Sequence, residues 1–145
     1  MIALSRPRPR SITIFAVMFL AAAVLSCIDG LVRIPVTLKS QDAYSWLTRD
    51  FLIVWHSAWL SIALIPVAMV WLSALRIARW LVASVTLFKL AGFVLMLPGL
   101  PMLLRMQPLG VASLALGVPA AALLFTPASN RWFARKGGEE VAVFE

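Results

Sequence analysis

Histidine, cysteine and tyrosine occur once each in these 145 residues, and acidic residues only six times. A single cysteine, Cys27, excludes an intramolecular disulfide, and a single histidine, His56, leaves no cluster from which a zinc site could be built. The chain has no paired carboxylates, no Gly-rich phosphate loop, no nucleophile elbow and no His-Glu-x-x-His helix. Hydrolytic, thiol and metal chemistry therefore lack their parts, and no enzyme activity, cofactor or metal is expected. Charge is scarce too, at 13% of residues, where soluble domains carry about 25%.

What fills the space is apolar, at 62% of the chain. Four apolar runs stand between charges, over Ser11–Ile28, Phe51–Leu75, Trp80–Leu97 and Leu109–Thr126 (11-28, 51-75, 80-97 and 109-126). Eighteen residues at about 1.5 Å each cover about 27 Å, close to the hydrocarbon thickness of a bilayer. Each run can cross once, and because lipid offers no partner to bare peptide groups each crossing is expected to be helical. The sequence thus predicts an all-α integral membrane protein, a single membrane domain over 1-145 built as a four-helix transmembrane bundle. Residues 127-145 read as a short tail, too small to be a domain.

The net charge of +7 sits in the connections between these runs, which argues for membrane topology and against nucleic acid as a partner. Arg6, Arg8, Arg10, Arg76, Arg79, Arg131, Arg135 and Lys136 fall on one side, against Arg33, Lys39, Arg49 and Arg105 on the other. The richer side faces the cytoplasm, giving an N-in/C-in arrangement. Short loops and the absence of a transit peptide point to the cell inner membrane of a bacterium. Arg6–Arg10, the apolar run and Cys27 also resemble a lipoprotein signal, but Leu25 is bulky for that role, so the first span is expected to stay.

The first outer connection runs from Arg33 to Asp50. Ser40 could cap a short interfacial helix with Tyr44, Leu47 and Phe51 on one face. The second, Pro98 to Pro108, is apolar but rich in helix breakers, so it should hug or dip into the interface.

Lys89 is the most informative residue. Ten residues past Arg79, it lies about 15 Å deep, where a lysine facing lipid costs about 2.5–3.5 kcal/mol on insertion scales. It should be buried in the bundle interior, a wet cavity or an interface with another chain. Depth counting ranks His56 as its nearer partner and Asp29 as a farther one, giving a polar column from Lys89 through His56 to Asp29, extended by Ser26, Ser57 and Ser61. The plainer alternatives are a lysine that snorkels or fixes packing, a histidine with its polar edge wet between Trp55 and Trp59, and an aspartate at a solvated helix end. In the fourth run Ser113, Gly117 and Ala121 recur every fourth residue, a helix-packing face that permits close approach.

Two functional expectations follow. The first is a non-enzymatic protein that binds another membrane protein, as an accessory subunit or, by analogy of architecture alone, as a toxin-immunity protein. The second is a small transporter or channel-like homo-oligomer assembled around Lys89. In both, the lipid bilayer is a partner.

Overall fold

The computed structural model describes residues 9–40, 46–73 and 76–141, and among them every regular element is helical. The elements are α1 (Arg10–Ser40), α2 (Arg49–Ala68) with a π-helical continuation (Met69–Ser73), α3 (Arg76–Leu95), a 3-10 turn (Leu97–Gly99), α4 (Leu100–Met106), α5 (Pro108–Leu123) and α6 (Pro127–Val141). Three helices are long and apolar enough to cross a membrane, Arg10–Lys39, Arg49–Trp71 and Ile77–Leu95. A fourth is reached if the pair Leu97–Met106 and Pro108–Leu123, bent by 115°, is counted as one span. The spans leave large apolar side chains bare, with Phe88 76% and Leu95 79% exposed, a surface that water-soluble monomers avoid.

α1 runs twelve residues past the expected end at Ile28. Asp29, Arg33 and Lys39 read as a loop by their charge, but they interrupt an apolar run rather than end it, and the Asp29 to Arg33 spacing places the pair on one helical face. Pro35 sits inside this stretch, and Thr37 Oγ1 donates to the Arg33 carbonyl at 3.1 Å beside it. Most of the expected interfacial helix falls on 41–45, outside the described residues. Its described part differs from expectation: Leu47 is not helical, and Thr48 caps α2 by accepting the Phe51 N–H at 3.1 Å. In α2 the buried Pro66 lacks a donor, and the helix passes into the π-helical turn three residues later. The Pro98–Pro108 connection folds as the 3-10 turn and α4, then breaks at Gln107 ahead of Pro108, the first residue of α5.

Packing is most extensive between α1 and α5, then between α1 and α2, while α2 and α3 touch sparsely. The α1–α5 seam is made of small residues. Ser113, Gly117, Ala120 and Ala121 are buried, Ser113 Oγ donates to the Ala22 carbonyl at 2.7 Å, and a β-carbon on Gly117 would lie 3.8 Å from that of Ala22. The Ser113, Gly117 and Ala121 face is therefore occupied by this chain's own first helix.

The apolar core gathers at the end of the bundle where α1 begins, here called the base. Ile12, Phe15, Phe19, Val70, Val82 and Leu124 meet there, joined by Phe133 from α6. Part of the short tail, Pro127–Val141, is thus a helix packed on the base. Thr126 accepts the Ser129 N–H at 3.4 Å, Pro127 opens the helix, and Phe133 is 1% exposed. Burying such a ring is worth about 1.5–3 kcal/mol. Arg79 ties α3 to the same corner, donating to Asn130 Oδ1 at 2.8 Å with its guanidinium 5.6 Å from the Phe125 ring and 5.8 Å from that of Phe133.

Candidate functional site

Because α2 and α3 barely touch, a cavity of about 660 Å³ opens between them, with α1 and α5 as its floor. Its lining changes character along the bundle axis. Toward the base it is apolar, with Phe19, Ala22, Ala63, Pro66 and Val82. At mid-height lie Ser26, Cys27, Thr86, Ser113 and Lys89, and toward the opposite end, the rim, Asp29, Gly30, Arg33, Trp55 and His56. Trp55, Trp59 and Phe88 line it while staying 49%, 40% and 76% exposed, so the cavity is open to the outside of the bundle.

Lys89 stands on α3 at this opening. Its ammonium donates to Ser26 Oγ on α1 at 3.3 Å, and among the described residues it has no acidic partner. Of the three expected settings the structure shows an open cavity: Lys89 lines its wall and stays accessible in the single chain, because α2 diverges from α3. Ser26 is thus the nearest polar partner, which depth counting missed. Counting from Arg10 and Arg79 assumes that both flanking charges sit at one level, and helices of unequal length do not oblige.

Asp29 is buried, as expected of a member of the polar set, and the plainer alternative of a solvated helix end is the one that falls. It is 8% exposed, inside α1 rather than at a solvated helix end. Its Oδ2 lies 3.7 Å from Arg33 Nη1 and would be 3.2 Å from a β-carbon on Gly110, in the first turn of α5. That turn has no side-chain cap, and a carboxylate at a helix N-terminus complements its free N–H groups and dipole. A side chain at Gly110 would press the carboxylate back by a few tenths of an ångström. His56 is half-buried within electrostatic range of both Asp29 and Arg33, with its ring laid against Gly30 where any β-carbon would collide with it. Among the described residues no hydrogen bond joins Lys89 to His56 or Asp29.

The expected column is therefore brought together only in part. Lys89, Ser26, His56 and Asp29 share one cavity, whereas Ser57 and Ser61 are exposed outside it, Ser61 donating to the Ser57 carbonyl of its own helix at 3.1 Å. The residues not foreseen are Arg33, Gly30 and Gly110. Arg33 was legible only through its four-residue spacing from Asp29, and the two glycines carry no chemical signal.

Counting Lys89 and Arg33 against Asp29, the cavity holds one cation in excess, on a wall otherwise mostly apolar. Such a site can hold an anion by charge and hydrogen bonding, but it offers no nucleophile paired with a base and, among the described residues, no group of three metal-ligating side chains. Comparison with protein-family models, with curated proteins and with solved structures finds no match.

Proposed function

We propose that this chain is a non-enzymatic, four-span protein of a bacterial inner membrane, with both termini in the cytoplasm, that works by binding a small anionic ligand within the bilayer and belongs to the carrier or transporter class. The observation that carries this reading is Lys89, a cation facing an open cavity of a single chain with only a hydroxyl for a partner. The base, with Arg79 and Arg131, is the cytoplasmic end, and the rim is the outer one.

Size favours a small ligand over a partner helix. An α-helix about 10 Å across occupies about 400 Å³ per turn, so about 660 Å³ takes less than two turns of one. Small-molecule sites are usually about 300–1,000 Å³. The packing of Ser113 and Gly117 against α1 also removes the face that could have received a foreign helix. The oligomer built around Lys89 is not required by this reading, because one chain supplies the cavity.

Cys27, the only cysteine in the chain, lines the cavity and serves as a native reporter. In phosphatidylcholine nanodiscs, its alkylation by a small maleimide should be slowed by one or more of a panel of monoanions, benzoate, dihydrogen phosphate and dodecanoate, and not by their neutral analogues. Lys89→Gln should remove that protection. If no anion protects Cys27, the reading fails.

A second reading, an accessory or immunity protein bound to another membrane protein, is favoured by one feature. Trp46, just before α2, and Phe51, Trp55 and Trp59 on it form an exposed aromatic ladder with ring centroids 5.5 to 6.1 Å apart. Native mass spectrometry of the protein drawn from its own membrane separates the two, since only this reading requires a second protein at fixed stoichiometry.

A further inference from the structure

Resting on the reading of the cavity as an anion site, we infer that its ligand is a monoanionic amphiphile, an acid head on an acyl chain, which enters sideways from the bilayer between α2 and α3. Three observations converge. The cation excess of one matches a singly charged head, with Lys89 and Arg33 set against Asp29. The head would meet Lys89 and Ser26 at mid-height and have His56 and Arg33 above it. Below, from Ser26 down to Phe19, the lining is mostly apolar through Ala22, Ala63, Pro66 and Val82 over about 10 Å of helix, interrupted by Ser84 and by Ser113, whose hydroxyl is taken up by the Ala22 carbonyl. A small hydrophilic anion leaves that half of the cavity unused, whereas an acyl chain fills it and gains the burial of each methylene.

The route follows from which wall is missing. α1 packs closely on both α5 and α2, but α2 and α3 stand apart, and the lining residues at that gap, Trp59 and Phe88, are apolar and exposed. A molecule already dissolved in the bilayer passes such a gap without leaving an apolar medium. The exposed stem of Lys89 lies at the same opening, so its ammonium can leave Ser26 for an arriving acid without any helix moving.

The test uses the full-length protein in phosphatidylcholine nanodiscs and reads Cys27 alkylation with dodecanoate, dodecanol and benzoate added, and separately in discs containing phosphatidylglycerol. Dodecanoate at about ten times its dissociation constant should slow alkylation about tenfold, with dodecanol inert. Lys89→Gln should abolish the effect and Lys89→Arg keep it, which separates loss of charge from loss of fold. Protection by dodecanoate identifies a free acid as the source, and protection by phosphatidylglycerol alone identifies a lipid headgroup; either supports the inference. Equal protection by dodecanol, or protection that survives Lys89→Gln, overturns it. Protection by benzoate without either amphiphile overturns the amphiphile while leaving the anion site standing, and silence from every anion overturns both.

Discussion

Gly30 on α1 lies directly against the imidazole of His56 on α2, in space that any β-carbon would need. The absent side chain lets α2 approach α1 at the rim and holds the ring where it forms a cavity wall. Gly30→Ala must push His56 aside, and overpacking of this kind costs about 1–3 kcal/mol. In the His56→Ala background the same change should cost much less. Thermal unfolding of the two single variants and the double variant in nanodiscs measures this coupling, and strict additivity would show that the contact is not made.

Asp29 and Arg33 form an ion pair of 3.7 Å, but the Arg33 side chain is 34% exposed and that of Asp29 11%. A half-open pair of this type contributes about 0–1 kcal/mol, whereas a carboxylate set against a helix N-terminus in a partly buried site contributes up to about 2 kcal/mol. The first turn of α5, which lies beside the Asp29 carboxylate at Gly110, is therefore expected to contribute more to its stability than Arg33 does. Asp29→Asn should lower stability more than Arg33→Gln, by about 1–2 against less than about 1 kcal/mol. The reverse order in unfolding measurements would identify the ion pair as the main contact.

Much of the helical layout is legible in the sequence because apolar runs and flanking charges follow directly from what lipid tolerates, and three runs fall on helices long and apolar enough to span. What is not legible follows from relations between helices. Asp29 looks like a loop residue until α5 is placed beside it, and the setting of Lys89 stays open among three until α2 is seen to diverge from α3. α6 does have a local signal, since Thr126 followed by Pro127 is a helix start. The cavity itself had no local signal, since it is made by a missing contact.

α6 is anchored by the Phe133 ring, the Arg79 guanidinium and the buried Ser129, whose hydroxyl meets that of Ser11 on α1 at 3.0 Å. Phe133 is buried in the base core, and Arg79 donates to Asn130 while flanked by the rings of Trp80, Phe125 and Phe133. Each cation–π contact is worth about 0.5–1 kcal/mol. Arg79→Ala should therefore loosen α6 while leaving the α1–α5 seam intact. Limited trypsin digestion should cut after Arg131 several-fold faster in that variant, and an unchanged rate would show that Arg79 is not needed to hold the helix beside Phe133 and the Ser11–Ser129 contact.

Membrane orientation is testable at two exposed positions on opposite ends of the bundle, Lys39 near the rim and Ala134 near the base. The proposed topology, drawn from the charge asymmetry, has the rim outside and the base in the cytoplasm. Cys27→Ser removes the native thiol, after which Lys39→Cys and Ala134→Cys are introduced one at a time. In intact bacterial cells a membrane-impermeant maleimide should label Lys39→Cys, while Ala134→Cys should react only after the membrane is broken. The opposite pattern would invert the bundle and would place the Asp29, Arg33 and His56 end of the cavity against the cytoplasm. Labelling of both positions in intact cells would require an even number of crossings between residues 39 and 134 and so rule out the three-crossing arrangement; the pair is run with Thr48→Cys, exposed just before α2, as an internal standard for the rim. Agreement of Lys39→Cys with Thr48→Cys and disagreement of both with Ala134→Cys is the result that α2, α3 and the bent α4–α5 pair, three crossings in succession, require.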